Sequence, residues 1–379
     1  MDTTTDKLQK EEIVKEKKVH NRCFLTIFLI PIGVILILLS RISPEITEYY
    51  SHYVYPLFMN TILFLTNYIP FSLIEVVLLT VPAVYIIYCA SKIYYSEKDK
   101  RKQLWKKYLS WLTAWISVLF FALVMFEGIN YNRKSVSELI GLETEKSTKY
   151  ELSAMCSDLA DKANHLRYSL TEDNMGASKL FSDDIYKVSD ESYKAFEKLA
   201  VKYPFLQGNK VKAKPLLCSK LMSYTEITGI FSPLTMEANI NADVTAYSIP
   251  ATICHEISHV RGIAREDEAN FISYLACMES SDKSIRYSGV MLALVHSMNQ
   301  LYVEDYDMFL EIYLDYSEGV KSDLDAYSNY WKHFEGPVAD ITNKVNDTYL
   351  KMNNQQDGVK SYGKMVDLLL ANWRKTRYM

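Results

Sequence analysis

The stretch CHEISHVRGIAREDEANF, Cys254 to Phe271, contains two histidines four residues apart, a glutamate between them, a glycine and then a run of acids. On a helix, His255 and His259 project from one face, one turn apart. That spacing lets two neutral imidazole nitrogens reach a single zinc ion at about 2.0–2.1 Å each. Glu256 is rotated away from both, so it can take a proton from water without ligating the metal. The stretch therefore predicts a zinc site with Glu256 as general base.

A catalytic zinc also needs a third protein ligand. Gly262 follows His259 by three residues and suits a helix end with positive φ, after which the chain can turn back towards the metal. Both Glu266 and Glu268 are candidates for the ligand. We choose Glu266, because the amide of Asn270 lies one turn later on the same face and can hydrogen-bond a ligating histidine. Glu268 remains open, and the helix dipole alone also favours acids in a first turn.

Other residues around the motif carry weaker expectations. H-E-x-x-H is the minimal signature of zinc peptidases, which usually have an apolar residue at the position of Arg261. We expect Arg261 to point outward or to pair with Glu266 or Asp267. The segment 229–250, rich in Thr, Ile and Asn, predicts a loop with a short strand, whose edge suits an extended peptide. His296 lies in an apolar helical pattern, which favours a packed histidine over one that stabilises an oxyanion.

The first 130 residues contain long apolar runs that indicate membrane helices. Segments long enough to approach a hydrocarbon core of about 30 Å cover about 23–40, 72–92 and 108–128. Residues 55–71 are predicted to form an interfacial or re-entrant helix. A fourth span there would separate the Lys- and Arg-rich segments 1–22 and 92–107, which the positive-inside rule places together in the cytoplasm.

These features predict a multi-pass protein of the cell membrane, divided into a cytoplasmic basic tail (1–22), a membrane region (23–130) and an extracytoplasmic domain (131–379). The expected fold class is mainly α, with N-terminal transmembrane helices followed by a mostly helical, zincin-like domain. A short strand or loop segment is expected before the H-E-x-x-H helix. The net charge of −4 gives no sign of the basic face that nucleic-acid binding requires.

The sequence resembles known protein families in two ways, one local to the motif and one across most of the chain. The arrangement of Glu266 and Asn270 after H-E-x-x-H resembles the E-x-x-A-[DN] pattern of gluzincin-type membrane peptidases, which implies Glu266 as third ligand and Asn270 as its polar neighbour. The metzincin third-histidine position is Arg265 here, so that family does not carry over. The segments FSPLTMEANIN, HEISHVRGIAREDEANF, NDTYLK and DGVKSYGKMVDLLL together resemble domain-of-unknown-function family 3810, a group of bacterial membrane proteins. This wider resemblance implies a membrane-embedded zinc peptidase without naming a substrate.

The expected function is thus a membrane-anchored metallopeptidase that uses Zn²⁺ held by His255, His259 and Glu266, with Glu256 as base. Its partners would be the bilayer and a peptide or exported-protein substrate at the membrane surface. The alternative is a non-catalytic membrane protein with a structural metal or a domain that binds an envelope partner. A closed site that uses both Glu266 and Glu268 would favour that alternative.

Overall fold

A computed structural model describes residues 26–352 and 362–377 of the protein, so the basic tail 1–22 lies outside the described residues. The N-terminal part is a series of helices: α1 (Leu29–Ile42), α2 (Pro44–Tyr49), α3 (Tyr55–Thr66), α4 (Leu73–Tyr94) and α5 (Lys98–Phe126). Among the described residues, α4 and α5 are long and apolar enough to cross a membrane. They correspond to the segments predicted at 72–92 and 108–128.

The first predicted span differs from a simple membrane helix. Helix α1 has 14 residues, which is about 21 Å of helix and less than a hydrocarbon core of about 30 Å. It qualifies as a span only together with the helical stretch Pro44–Thr66, from which it is bent by 111°. The chain therefore has two candidate spans, or three if this bent pair is one span, within the described ranges.

Helix α3, inside the segment predicted as interfacial or re-entrant, has two apolar faces with different surroundings. Tyr55, Met59 and Leu63, spaced four residues apart, are each 1% exposed and belong to the main hydrophobic core. Leu57 and Leu65 on the other face are more than 60% exposed. Helix α3 thus supplies core residues to the domain that follows the apolar helices.

Eleven further helices are described after α5: α6 (Val136–Ile140), α7 (Lys149–Tyr168), α8 (Ile185–Lys202), α9 (Ser219–Ser223), α10 (Ile249–Val260), α11 (Glu266–Met278), α12 (Lys283–Glu304), α13 (Tyr306–Leu314), α14 (Glu318–Lys332), α15 (Pro337–Met352) and α16 (Tyr362–Arg377). Helices α10, α11 and α12 pack on one another, with α8 against the first two and α7 against α12. The protein is mainly helical, as the sequence predicts.

A small sheet covers one side of α10. Its strands are β1 (Lys214–Pro215), β2 (Gly229–Ser232) and β3 (Glu237–Ile240), in the order β1-β3-β2. Strand β3 is parallel to β1 and antiparallel to β2, with Ile230 opposite Asn239. The segment 229–250 thus forms a hairpin in which β2 is an edge strand with one side unpaired.

The sheet is hydrogen-bonded to the first turn of the apolar helix α4. The Glu237 carboxylate accepts hydrogen bonds from the N–H groups of Leu73 and Ile74, each at 3.0 Å, and is paired with the buried Lys214. Conversely, the Glu75 carboxylate of α4 accepts hydrogen bonds from the backbone N–H groups of residues 217 and 218. Glu75 therefore anchors the end of an apolar helix to the segment that follows β1.

Leucine-to-alanine substitutions on the two faces of α3 test which face is buried in the core. We expect Leu63→Ala to destabilise the protein by about 2–5 kcal/mol, because it removes a fully buried side chain. Leu65→Ala is the matched control on the same helix and should change stability by less than about 1 kcal/mol. Thermal unfolding of both full-length variants in lipid nanodiscs measures the difference. Equal effects would contradict the assignment of α3 to the core.

Candidate metal centre

Helix α10 ends in a turn that the sequence predicts from its glycine. Gly262 has a φ of 78°, in the left-handed region that favours glycine. The Ile263 N–H donates to the Ser258 carbonyl at 3.1 Å, and the Gly262 N–H donates to the His259 carbonyl at 2.9 Å. This pair of bonds is the Schellman motif. It reverses the chain within a few residues, so that α11 begins close to the histidines of α10.

His255, His259 and Glu266 converge at this turn. The two imidazole Nε2 atoms are 3.0 Å apart, and the Glu266 carboxylate oxygens lie 3.2 Å from His255 Nε2 and 3.5 Å from His259 Nε2. Donors about 2.0–2.1 Å from a tetrahedral zinc would be about 3.3 Å apart. Two imidazoles and one carboxylate are also a usual donor set for a catalytic zinc with an open fourth position. The residues present therefore fit a zinc ion.

The contacts of the histidines determine which nitrogen can bind a metal. The Nδ1 atom of His259 is 2.7 Å from the Ile263 carbonyl, to which it can donate, so that Nε2 is left as the lone-pair donor. His255 Nδ1 is buried and has no hydrogen-bond partner among the described residues. None of the described hydrogen bonds joins either imidazole to Asn270, which is buried on α11. The supporting group is thus a backbone carbonyl where the sequence predicts an amide.

Glu268, the alternative ligand, has other partners. Its Oε1 atom accepts a hydrogen bond from the Val136 N–H at 2.9 Å and lies 2.8 Å from Arg265 Nη2. The group of donor atoms close enough to share a metal contains Glu266 and not Glu268. Glu268 therefore connects α11 to the segment that follows α5.

Glu256 lies beside the metal ligands under strand β2. Its carboxyl is 3% exposed, and one of its oxygens has no hydrogen-bond partner among the described residues. Burial raises the pKa of Glu256 to about 7, although the neighbouring histidines oppose this rise and the Phe231 N–H hydrogen-bonds the carboxylate. A Cβ on Gly229 would lie 2.5 Å from Glu256 Oε1, so this close approach requires glycine. Glu256 is therefore a poorly solvated carboxyl that can exchange a proton near neutral pH.

His259 and Glu266 perturb each other strongly. Burial lowers the pKa of His259, but the adjacent Glu266 carboxylate outweighs this effect and raises it to about 9. Burial raises the pKa of Glu266, whereas the two histidines hold it well below its usual range. The three groups together thus favour a positive charge between them, and a divalent cation would satisfy that preference.

A third histidine lies near the cluster. Burial lowers the pKa of His296 on α12 to about 4, and the proximity of His255 lowers it further. A neutral imidazole beside the ligands is compatible with an interaction with substrate. The sequence predicts a packed histidine at this position. The helical pattern of α12 does not indicate that this histidine interacts with His255.

The position of the Arg261 side chain differs from the one that the sequence predicts. This side chain neither points outward nor pairs with Glu266 or Asp267; its guanidinium is 4% exposed, donates to the Asn209 carbonyl at 2.7 Å and lies 3.4 Å from Met59 Sδ. A buried guanidinium needs hydrogen-bond acceptors, and a carbonyl distant in sequence supplies one. Arg261 therefore connects the end of α10 to α3 and to the loop after α8.

A family model described as a protein of unknown function, DUF3810, matches residues 50–370. The chain belongs to the DUF3810 family. The matched range of this DUF3810 protein includes α3, α4 and α5 as well as the metal ligands, so the apolar helices and the candidate site are parts of one family unit. No curated protein and no solved structure matches this DUF3810 protein.

The two candidate third ligands can be separated by zinc affinity. We expect Glu266→Gln to weaken zinc binding by at least about 100-fold, because loss of a ligand should cost more than the roughly 10–100-fold lost with an outer partner. Glu268→Gln, the matched control, should keep an affinity within about 10-fold of wild type, because its carboxylate faces Arg265. Competition with a zinc chelator measures both constants on the full-length protein. The opposite order would exclude Glu266 as the ligand.

Proposed function

We propose that this protein is a membrane-anchored, zinc-dependent metallopeptidase. The observation that carries the proposal is the convergence of His255, His259 and Glu266 with the buried Glu256 beside them. A zinc ion held by the first three would lower the pKa of a water molecule towards about 7 and polarise a substrate carbonyl. No other feature of the described residues combines a metal donor set with an adjacent carboxyl of raised pKa.

Glu256 is the group that would move the proton. Its unpaired oxygen can accept a proton from the attacking water, and the same carboxyl can return that proton to the leaving amine. The hydrogen bond that the Phe231 N–H donates to the Glu256 carboxylate holds this side chain in place. His296 interacts electrostatically with His255, which makes its neutral imidazole a candidate to contact a substrate carbonyl oxygen.

Strand β2 would orient the peptide. The Asn241 N–H donates to the Thr228 carbonyl, so in the antiparallel alternation the backbone groups of Gly229 and Phe231 point away from β3. The Phe231 N–H is directed at Glu256, which agrees with this alternation. The remaining outward groups can pair with an extended peptide beside α10, the β-augmentation mode of binding.

The orientation in the membrane follows from charge. The connection between α4 and α5 lies within the Lys- and Arg-rich segment 92–107, and the N-terminal tail is also basic. The positive-inside rule supports a cytoplasmic location for both, with the metal centre outside the cytoplasm. Exported proteins or peptides would then be the accessible substrates.

A structural metal site is the competing function. It would be closed by a fourth protein ligand, for which Glu268 is the sequence candidate. The contacts of Glu268 with Arg265 and Val136 favour the open three-ligand arrangement instead. The geometry therefore supports catalysis better than a structural role.

The general base gives the direct test of the proposal. We expect Glu256→Gln to reduce peptide cleavage by about 10²–10⁴-fold, since the amide cannot accept the proton, while one zinc per chain is retained. Glu318→Gln, at a side chain that is 95% exposed, is the control and should keep full activity. Mass spectrometry of a randomised peptide library incubated with each full-length, zinc-loaded protein measures cleavage. Full activity in Glu256→Gln would overturn the mechanism.

A further inference from the structure

The loop between the two ligand helices, residues 261–265 and here called the ligand loop, is held by α3 and by the segment that follows α5. Just before the loop, the Tyr55 hydroxyl of α3 donates to the Val260 carbonyl at 2.9 Å. In its middle, Arg133 Nη1 donates to the Gly262 carbonyl at 3.2 Å. At its end, Arg265 Nη2 donates to the Lys134 carbonyl at 3.0 Å. The metal ligands therefore take their positions from segments that adjoin apolar helices.

These fastening residues lie close to the ends of the apolar helices. Tyr55 is the first residue of α3, and Arg133 follows the end of α5 by seven residues. The Arg133 guanidinium also binds Glu48 of α2 through two nitrogens, at 2.7 and 3.1 Å. The candidate metal centre thus lies next to the membrane end of the domain.

Helix α3 contacts the end of α10 and the ligand loop with its inner face and has an exposed apolar outer face. Its outer face exposes Leu57, Phe64 and Leu65, each by 60% or more, while its inner face is buried in the core. This exposed apolar stripe is continuous with the apolar helix α4, which starts seven residues after α3 ends. The helical stretch Pro44–Thr66, which contains α3, is bent by 111° from α1. Lipid is the occupant that this continuity supports.

The thickness of α3 determines how far the candidate metal centre would lie from the lipid. A helix with its side chains is about 10–12 Å across, so a ligand loop held against the inner face of α3 would lie roughly 10–15 Å above the lipid. An extended peptide covers about 3.3 Å per residue, so about three to five residues bridge that height.

The hairpin of β2 and β3 lies against α3 and the first turn of α4. The hairpin turn between β2 and β3 meets α4 through Glu237, and Met236 in the turn contacts the Tyr55 hydroxyl at 3.6 Å. The segment after β1, beside the opposite end of β3, also binds α4 through Glu75, so both ends of the hairpin are held near the apolar helices. A peptide extended along β2 would therefore lie close to the apolar helices along its whole length.

We propose that the substrates are polypeptides anchored in the same bilayer, which are cut within about five residues of the membrane surface. The inference rests on the peptidase function proposed above and names its substrate class. In the reaction, water forms a C–O bond to the peptide carbonyl carbon, the amide C–N bond breaks, and the leaving nitrogen takes a proton. One product stays in the membrane and the other is released.

Three forms of one randomised peptide library test this substrate class, with the full-length protein in liposomes. The first form is free, the second is joined to an apolar helix of about 20 residues by a spacer of about four residues, and the third uses a spacer of about 30 residues. We expect the short-spacer form to be cleaved fastest, at least about 10-fold faster than the long-spacer form, because effective concentration falls with tether length. Glu256→Gln supplies the background.

The outcomes separate the two proposals. If the short-spacer form is cleaved no faster than the long-spacer form, or the free peptides are cleaved as fast as the anchored ones, the substrate class is wrong and the peptidase function stands. If no form shows cleavage that depends on Glu256, the peptidase function fails and the substrate class fails with it.

Discussion

The convergence of three donor atoms from two helices is the constraint on which the centre of the protein depends. His255 and His259 come from α10 and Glu266 from the first position of α11, so the chain must reverse within a few residues. Gly262 makes that reversal through its positive φ, and the turn also presents the Ile263 carbonyl to His259. One local motif therefore ends the first helix, orients a ligand and places the next one.

The N-terminal apolar helices and the segment that follows α5 are structural parts of this centre. Tyr55 and Arg133 satisfy carbonyl groups at and beside the ligand loop, and Glu237 and Glu75 exchange hydrogen bonds between the sheet and α4. Leaving such buried polar groups without partners would cost about 1–3 kcal/mol each. The apolar helices therefore do more than tether a separate domain: they complete its polar contacts and, through α3, its core.

Local rules account for what the sequence predicts. The four-residue histidine spacing, the positive φ of Gly262, and the apolar helices α4 and α5 follow from helix geometry and hydropathy. Contacts between segments that are distant in the sequence do not follow from these local rules. A carbonyl such as that of Ile263 has no sequence signature, and the burial of Arg261 depends on Asn209, 52 residues earlier. The sequence also does not show that the inner face of α3 is part of the core, because apolar residues are equally suited to lipid and to a protein core.

X-ray absorption at the zinc edge of the full-length, zinc-loaded protein tests the central claim most directly. The account predicts one zinc per chain with two imidazole nitrogens and oxygen donors completing four ligands at about 2.0–2.2 Å. At least one of those oxygens should exchange with solvent, since His255, His259 and Glu266 leave a position open. Sulfur donors at about 2.3 Å, or a protein that retains no zinc, would contradict it.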